Sequence, residues 1–214
     1  MNLSAYLYYR ALLFKKRALR YRALFETIYK RKCRRLVEIG TYDGVQARHM
    51  IRTAMNHHNR GDIEYFGFDL FENLTDEKFE AEPSKRAPTM QEVEGRLRPM
   101  GANIRLFAGE TAETLPRAVG EIGRADFIFI DGGHSFETIS SDWKYTEELM
   151  GPGSVAIFDD YYTEPDEAIA GMGCQETVDA IDRARYHVEV LPIENTFRKE
   201  WGALRIRMAR VTKR

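Results

Sequence analysis

The stretch Leu36-Val37-Glu38-Ile39-Gly40-Thr41-Tyr42-Asp43-Gly44 decides how the rest of the chain is read. Its opening is an apolar run interrupted only by Glu38, two glycines bracket a short turn, and helical spacing begins at Val45. Strand, glycine turn and helix in that order open a βαβ unit. Four more apolar runs follow, at 65–68, 104–107, 127–130 and 155–158, and each ends in a glycine or an acid. Helical patterns at 45–55, 115–122, 136–150 and 175–184 fall after the first, third, fourth and fifth of these five runs. This alternation predicts an α/β protein with a doubly wound, mainly parallel sheet. The last two apolar runs, 187–193 and 203–211, are joined too closely for a helical crossover. They are expected to pair as an antiparallel hairpin, so that the seven-stranded sheet ends in an antiparallel strand.

Composition agrees with one such domain. At 214 residues, with 43% hydrophobic and 30% charged residues and seven prolines, the chain excludes collagen-like, disordered and disulfide-scaffold classes. Two cysteines, Cys33 and Cys174, form no metal or redox motif and fit a reducing compartment. No stretch reaches the roughly 18 apolar residues of a membrane span, and the apolar start is broken by Arg10 and by Lys15, Lys16 and Arg17. The expected location is cytoplasmic.

The net charge of −1 conceals an asymmetry. Residues 1–35 hold eleven Lys/Arg and one acid, Glu26, a net of +10, so the remainder carries −11. Within this head Leu7, Ala11, Phe14, Ala18, Tyr21, Phe25 and Ile28 alternate at spacings of four and three without Pro or Gly. That spacing predicts one long basic amphipathic helix over 1–34, ahead of a catalytic-size domain over 35–214. Its apolar face suits the body of the protein, a homo-oligomer contact or peripheral contact with a membrane, and its basic back a phosphate-bearing partner. Nucleic acid is not expected as a partner, because the body is acidic and the head's aromatics fall on the apolar stripe. Between the second and third strands, 71–102 reads as an inserted surface loop followed by a helix opening at the capping-box pair Thr89 and Glu92.

Ligands of open parallel sheets bind beyond the carboxyl ends of the strands. Those ends carry Glu38 and the loop Gly40, Thr41, Tyr42, Asp43, Gly44; then Asp69 and Leu70; Gly109, Glu110 and Thr111; Asp131-Gly132-Gly133-His134; and Asp159-Asp160. The first loop has two glycines, where a dinucleotide fingerprint needs three, and its acids would repel a pyrophosphate. A sulfonium nucleoside suits it better: the glycines admit the ligand, Glu38 and Asp43 answer its positive charges, and Asp69 accepts the ribose hydroxyls. Asp131, Asp159 and Asp160 converge from two strand ends and call for a cation. Magnesium would satisfy them and acidify an acceptor hydroxyl, with His134 positioned to take the proton.

These residues together resemble the class I S-adenosylmethionine-dependent methyltransferases, over 35–211. The runs around Asp131 to His134 and Asp159-Asp160 are similar, more narrowly, to metal-dependent macrocin-type sugar O-methyltransferases. The resemblance implies a Rossmann-like fold with the antiparallel strand inserted beside the fifth. It also implies a cofactor site at Glu38, Gly40 to Gly44, Asp69, Leu70, Gly109 to Thr111 and Asp131, a metal on Asp131, Asp159 and Asp160, and catalysis by His134 and Asp131. The expected acceptor is a hydroxyl of a small molecule or glycan.

Plainer readings stand beside these. Asp131 and Asp159 can be capping acids and His134 a loop donor. The same fold serves metal-free N- or C-methyl transfer, and a basic head can dock a non-catalytic binding module. Trp143 is expected in the core and Trp201 in a hairpin turn, while His49, His57 and His58 are expected at the surface.

Overall fold

The structure, a computed structural model, describes residues 2–14, 19–81, 85–164 and 169–214. Five parallel strands, β1 (Arg35–Ile39), β2 (Glu64–Asp69), β3 (Asn103–Ala108), β4 (Ala125–Ile130) and β5 (Met150–Tyr162), alternate with helices as the periodicity requires. They are followed by β6 (Tyr186–Val190), β7 (Asn195–Lys199) and β8 (Gly202–Lys213). The sheet order is β3-β2-β1-β4-β5-β8-β6, with β8 antiparallel to both neighbours, as expected for the inserted last strand. An additional strand makes eight. β7 pairs only with β8 and forms the tight hairpin, whereas β6 and β8 are paired antiparallel across it. Four of the five β7 residues are exposed, so it lacked the apolar alternation that marks a strand, and Arg198 and Lys199 blunt its open edge.

Apolar side chains of the strands divide between two layers. One core joins Leu36, Tyr65, Phe127 and Phe129 to the N-terminal helices α1 (Leu3–Leu13), α2 (Arg22–Arg31) and α3 (Val45–Ala54). The insert supplies α4 (Asp76–Ala81) and α5 (Met90–Leu97), and Val93 and Leu97 of α5 join the same core. The opposite core joins Val37, Ile39, Ile128 and Phe158 to α6 (Thr111–Ile122), α7 (Phe136–Thr146) and α8 (Gln175–Ala180). α5 starts on the capping box read from Thr89 and Glu92.

The head is not one helix. α1 ends at Leu13, and a 3-10 turn, Leu19–Tyr21, precedes α2; Ala18 of the predicted stripe lies outside the described residues. Ala5, Tyr9 and Leu12 form the buried face of α1, leaving Leu7 60% and Phe14 70% exposed. Leu24, Phe25 and Ile28 of α2 are buried, each contributing about 1.5–3 kcal/mol on burial. Arg20 turns inward from the 3-10 segment to Asp159 near the end of β5. A straight amphipathic rod would have left that cation on the polar back.

His49 is also placed differently from expectation. It is 6% exposed, with Nδ1 2.6 Å from the Tyr8 hydroxyl, because the packing of α1 on α3 covers it. His58 is half-buried against the Lys32 carbonyl, and His57 is exposed. Trp143 is half-buried between Phe158 and Tyr186. No helix among the described residues is long and apolar enough to cross a membrane.

Candidate active site at the carboxyl ends of the strands

The glycine loop is fixed by close backbone approach. A side chain at Gly40, where φ is +89°, would place its Cβ 2.0 Å from the Asp131 carbonyl oxygen. Gly40 and Thr41 donate their N–H groups to the Phe68 carbonyl, tying the loop to the end of β2. Gly44 caps α3 in the left-handed region, and Asp43 accepts the Val45 N–H at 3.0 Å, so Asp43 serves the helix start. The Asp69 carboxylate accepts the Tyr42 N–H at 2.7 Å and the Phe71 N–H at 3.0 Å, which pins it between the first two loops. Gly109 donates to the Asp69 carbonyl and brings Glu110 and Thr111 alongside, with Leu70 next to Asp69 at the start of the insert.

The insert lies against this loop. Val93 and Leu97 of α5 lie where a side chain on Gly44 would be, 3.1 and 3.4 Å from its Cβ position. Arg96 donates to the Asp43 carbonyl, Lys85 sits over the Tyr42 ring, and Lys78 of α4 pairs with Glu110. Lys78 was not anticipated, since nothing in a charged helix singles out one lysine.

Glu38 lies in the interior near the end of β1. It is 1% exposed and accepts a hydrogen bond from the Tyr65 hydroxyl. Burial, offset in part by that bond, pushes its carboxyl up to about 8, and the charges of Asp69 and Asp43 add to the rise. Below that value it is a neutral interior acid. Between the ordinary range near 4.5 and about 8 the folded chain keeps a proton that the unfolded chain releases, so stability falls as pH rises through this window. Glu38→Gln removes the dependence. In chemical denaturation its advantage over the parent protein should widen by ~2–3 kcal/mol between pH 6 and pH 9. A constant difference would show Glu38 to be ionised throughout.

The second half of the site gathers at β4 and β5. Asp159 and Asp160 together face the single residue Met208 in the β5–β8 register, a bulge that takes both acids out of the regular ladder. Asp160 has φ +57°, a left-handed conformation unusual for aspartate, and its Oδ2 lies 3.2 Å from His134 Nε2. Ser135, next in the chain, caps α7. Asp159, 3% exposed, accepts two hydrogen bonds from Arg20, Nε at 2.6 Å and Nη2 at 2.8 Å. The Tyr21 hydroxyl bridges Asp159 at 3.0 Å and Asp131 at 3.5 Å. Withdrawal from water and mutual repulsion raise Asp131 well above the carboxylate range and Asp160 to about 7, with Arg20 opposing the rise.

The three acids therefore converge as the spacing implied, but the cation beside them is a guanidinium. Neither Arg20 nor Tyr21 was identified from sequence: eleven basic residues crowd the head, and only the break after α1 selects Arg20. Among the described residues no group of three acids, histidines or cysteines is arranged to hold a metal ion.

A family model described as a methyltransferase domain matches residues 37–161, more than half of the chain. No curated protein matches. Among solved structures, the O-methyltransferase TomG from Streptomyces achromogenes, in complex with S-adenosylmethionine, superposes with a TM-score of 0.63 at 15% identity, over 99% of this chain and 89% of that one. An O-methyltransferase from Bacillus cereus in complex with S-adenosylhomocysteine gives 0.62 at 15% identity, over 99% and 90%. The O-methyltransferase NovP gives 0.58 at 19% identity, over 86% and 76%.

Proposed function

Because the chain belongs to the methyltransferase-domain family and is an S-adenosylmethionine-dependent methyltransferase, we propose that it methylates a hydroxyl oxygen of a small molecule or glycan. The observation that carries the cofactor assignment is the Asp69 carboxylate, held by two backbone N–H groups at the tip of β2 beside the glycine loop. A carboxylate has about four acceptor sites, so two remain for ribose hydroxyls. Gly40 to Gly44, Leu70, Gly109, Glu110, Thr111 and Asp131 line the same strand ends and are assigned to the cofactor, with Glu38 supporting them from the interior.

Transfer is an in-line displacement: the methyl–sulfur bond breaks as the methyl–oxygen bond forms, leaving S-adenosylhomocysteine. The acceptor proton passes to the His134–Asp160 pair, in which the Asp160 carboxyl, raised to about 7 by burial and the charge of Asp159, lies 3.2 Å from His134 Nε2. Asp131 borders both halves of the site and positions the acceptor.

The donor set does not fit magnesium in this arrangement. Both oxygens of Asp159 are committed to Arg20, and Oδ2 also to Tyr21, so a divalent ion would have to expel a buried guanidinium. We assign the neutralising charge to Arg20 and route no step through a metal. This adopts the metal-free side of the alternatives while keeping oxygen as the acceptor. The exposed apolar side chains Leu3 and Leu7 of α1, with Phe14 just after it, form the surface assigned to self-association or membrane contact.

Calorimetry tests the cofactor assignment. The protein should bind S-adenosylhomocysteine and not NAD, and Asp69→Ala should weaken binding by ~1.5–3 kcal/mol through lost charge-assisted hydrogen bonds. Equal affinity in the variant would remove Asp69 from the site.

A further inference from the structure

A groove of about 520 Å³ separates α2 from the face of β6 and β8 beneath it. Its volume is that of a small-molecule site, and none of the glycine-loop residues line it. Its floor is polar for most of its length, formed by the cross-strand pairs His187–Thr212 and Glu189–Arg210, and it becomes apolar at Leu191 and Met208. A sheet face beneath a helix normally closes with apolar side chains. Here it remains open and charged.

The charges do not cancel. Lys30 is answered by Glu26 at 2.7 Å, Arg210 by Glu189 at 2.6 Å, and Arg20 by Asp159. Among the described residues Arg31 donates only to the neutral carbonyl of Gly153, at 3.1 Å. Arg22 has no ion pair among the described residues, and its Nε is shielded from solvent without a hydrogen-bond partner. Thr27, 3% exposed, lines the same groove with its hydroxyl likewise unpartnered. Buried donors in native proteins are nearly always satisfied, so these two leave hydrogen-bonding capacity in the wall that the described residues do not meet. A guanidinium offers donors only, in a fork that matches phosphate, and the threonine hydroxyl adds another donor.

One end of the groove meets the catalytic acids, because Arg20 lines it and also holds Asp159. From there α2 runs nine residues to Arg31, about 14 Å at 1.5 Å per residue. We propose that this groove seats a phosphate-bearing part of the methyl acceptor, with Arg22, Thr27 and Arg31 as its ligands. The anion site stands on the groove itself; its assignment to the acceptor rests on the methyl-transfer reading above.

Inorganic pyrophosphate is the probe, titrated by calorimetry into the full chain saturated with S-adenosylhomocysteine. One site is expected, with affinity reduced roughly tenfold in Arg22→Gln, as for loss of a charged hydrogen-bonding fork, and about threefold or more in Thr27→Val. Arg34→Gln, which removes an exposed head cation outside the groove, should leave the affinity unchanged. All three variants should bind S-adenosylhomocysteine like the parent, which establishes that they are folded. The proposal is overturned if the parent binds S-adenosylhomocysteine but not pyrophosphate, if Arg22→Gln and Thr27→Val bind pyrophosphate as the parent does, or if pyrophosphate displaces the nucleoside. Absence of S-adenosylhomocysteine binding would instead overturn the cofactor reading, and pyrophosphate binding in that case would leave an anion site without an acceptor.

Discussion

Replacing His134 by alanine should lower methyl transfer by about 10²–10⁴-fold, the usual contribution of a positioned general base. The imidazole is held by Asp160 through Nε2 at 3.2 Å, and both sit at the tips of β4 and β5 where the acceptor must approach. Without the ring, Asp160 loses that partner, while burial first and the charge of Asp159 second, opposed by Arg20, hold its carboxyl up at about 7. The deficit should therefore shrink as pH rises above about 7, because the remaining carboxylate ionises and can accept the proton itself. S-adenosylhomocysteine affinity should stay within about twofold of the parent, since most of the cofactor contacts lie at the ends of β1 to β3. A variant with parental turnover at pH 7 would reduce His134 to a loop residue that donates to Asp160.

Replacing Arg20 by methionine should destabilise the fold by ~3–5 kcal/mol, the range for breaking a buried ion pair on one side only. Asp159 would be left 3% exposed with only the Tyr21 hydroxyl to satisfy it, beside two further acids. Adding Asp159→Asn should recover most of that loss, because the double variant buries no unpaired charge. The single variant has a second expected property. With the guanidinium gone, Asp131, Asp159 and Asp160 become a hard-oxygen site, and manganese should bind by electron paramagnetic resonance and restore part of the stability. Equal manganese affinity in parent and variant would mean that Arg20 does not occupy the cation position.

The sheet was legible because its strands are uniform apolar runs with sharp ends, and each strand-end motif fell where the order β3-β2-β1-β4-β5 brings it to one edge. Gly40 was legible as a loop residue, but not its reason, the contact with the Asp131 backbone, which depends on β1 and β4 being neighbours. For Glu38 a motif position does not reveal how deeply the carboxyl is buried; its partner Tyr65, twenty-seven residues away, is a tertiary fact. Arg20 was the largest omission. Its partner lies 139 residues further along the chain, and an unbroken apolar stripe gave no hint that α1 and α2 part at that point. The electrostatic demand was visible in three converging acids, whereas the identity of the cation meeting it was a tertiary fact. The exposed strand β7 carried no periodic signal at all.

The most direct test of the account is one crystal structure grown with S-adenosylhomocysteine and magnesium together. The account predicts ribose hydroxyls on Asp69, the remainder of the nucleoside along Gly40 to Gly44 and Gly109 to Thr111, and Arg20 still bidentate on Asp159 with no metal between the acids. A magnesium ion shared by Asp131, Asp159 and Asp160 with Arg20 displaced, or a nucleoside bound away from Asp69, would contradict it.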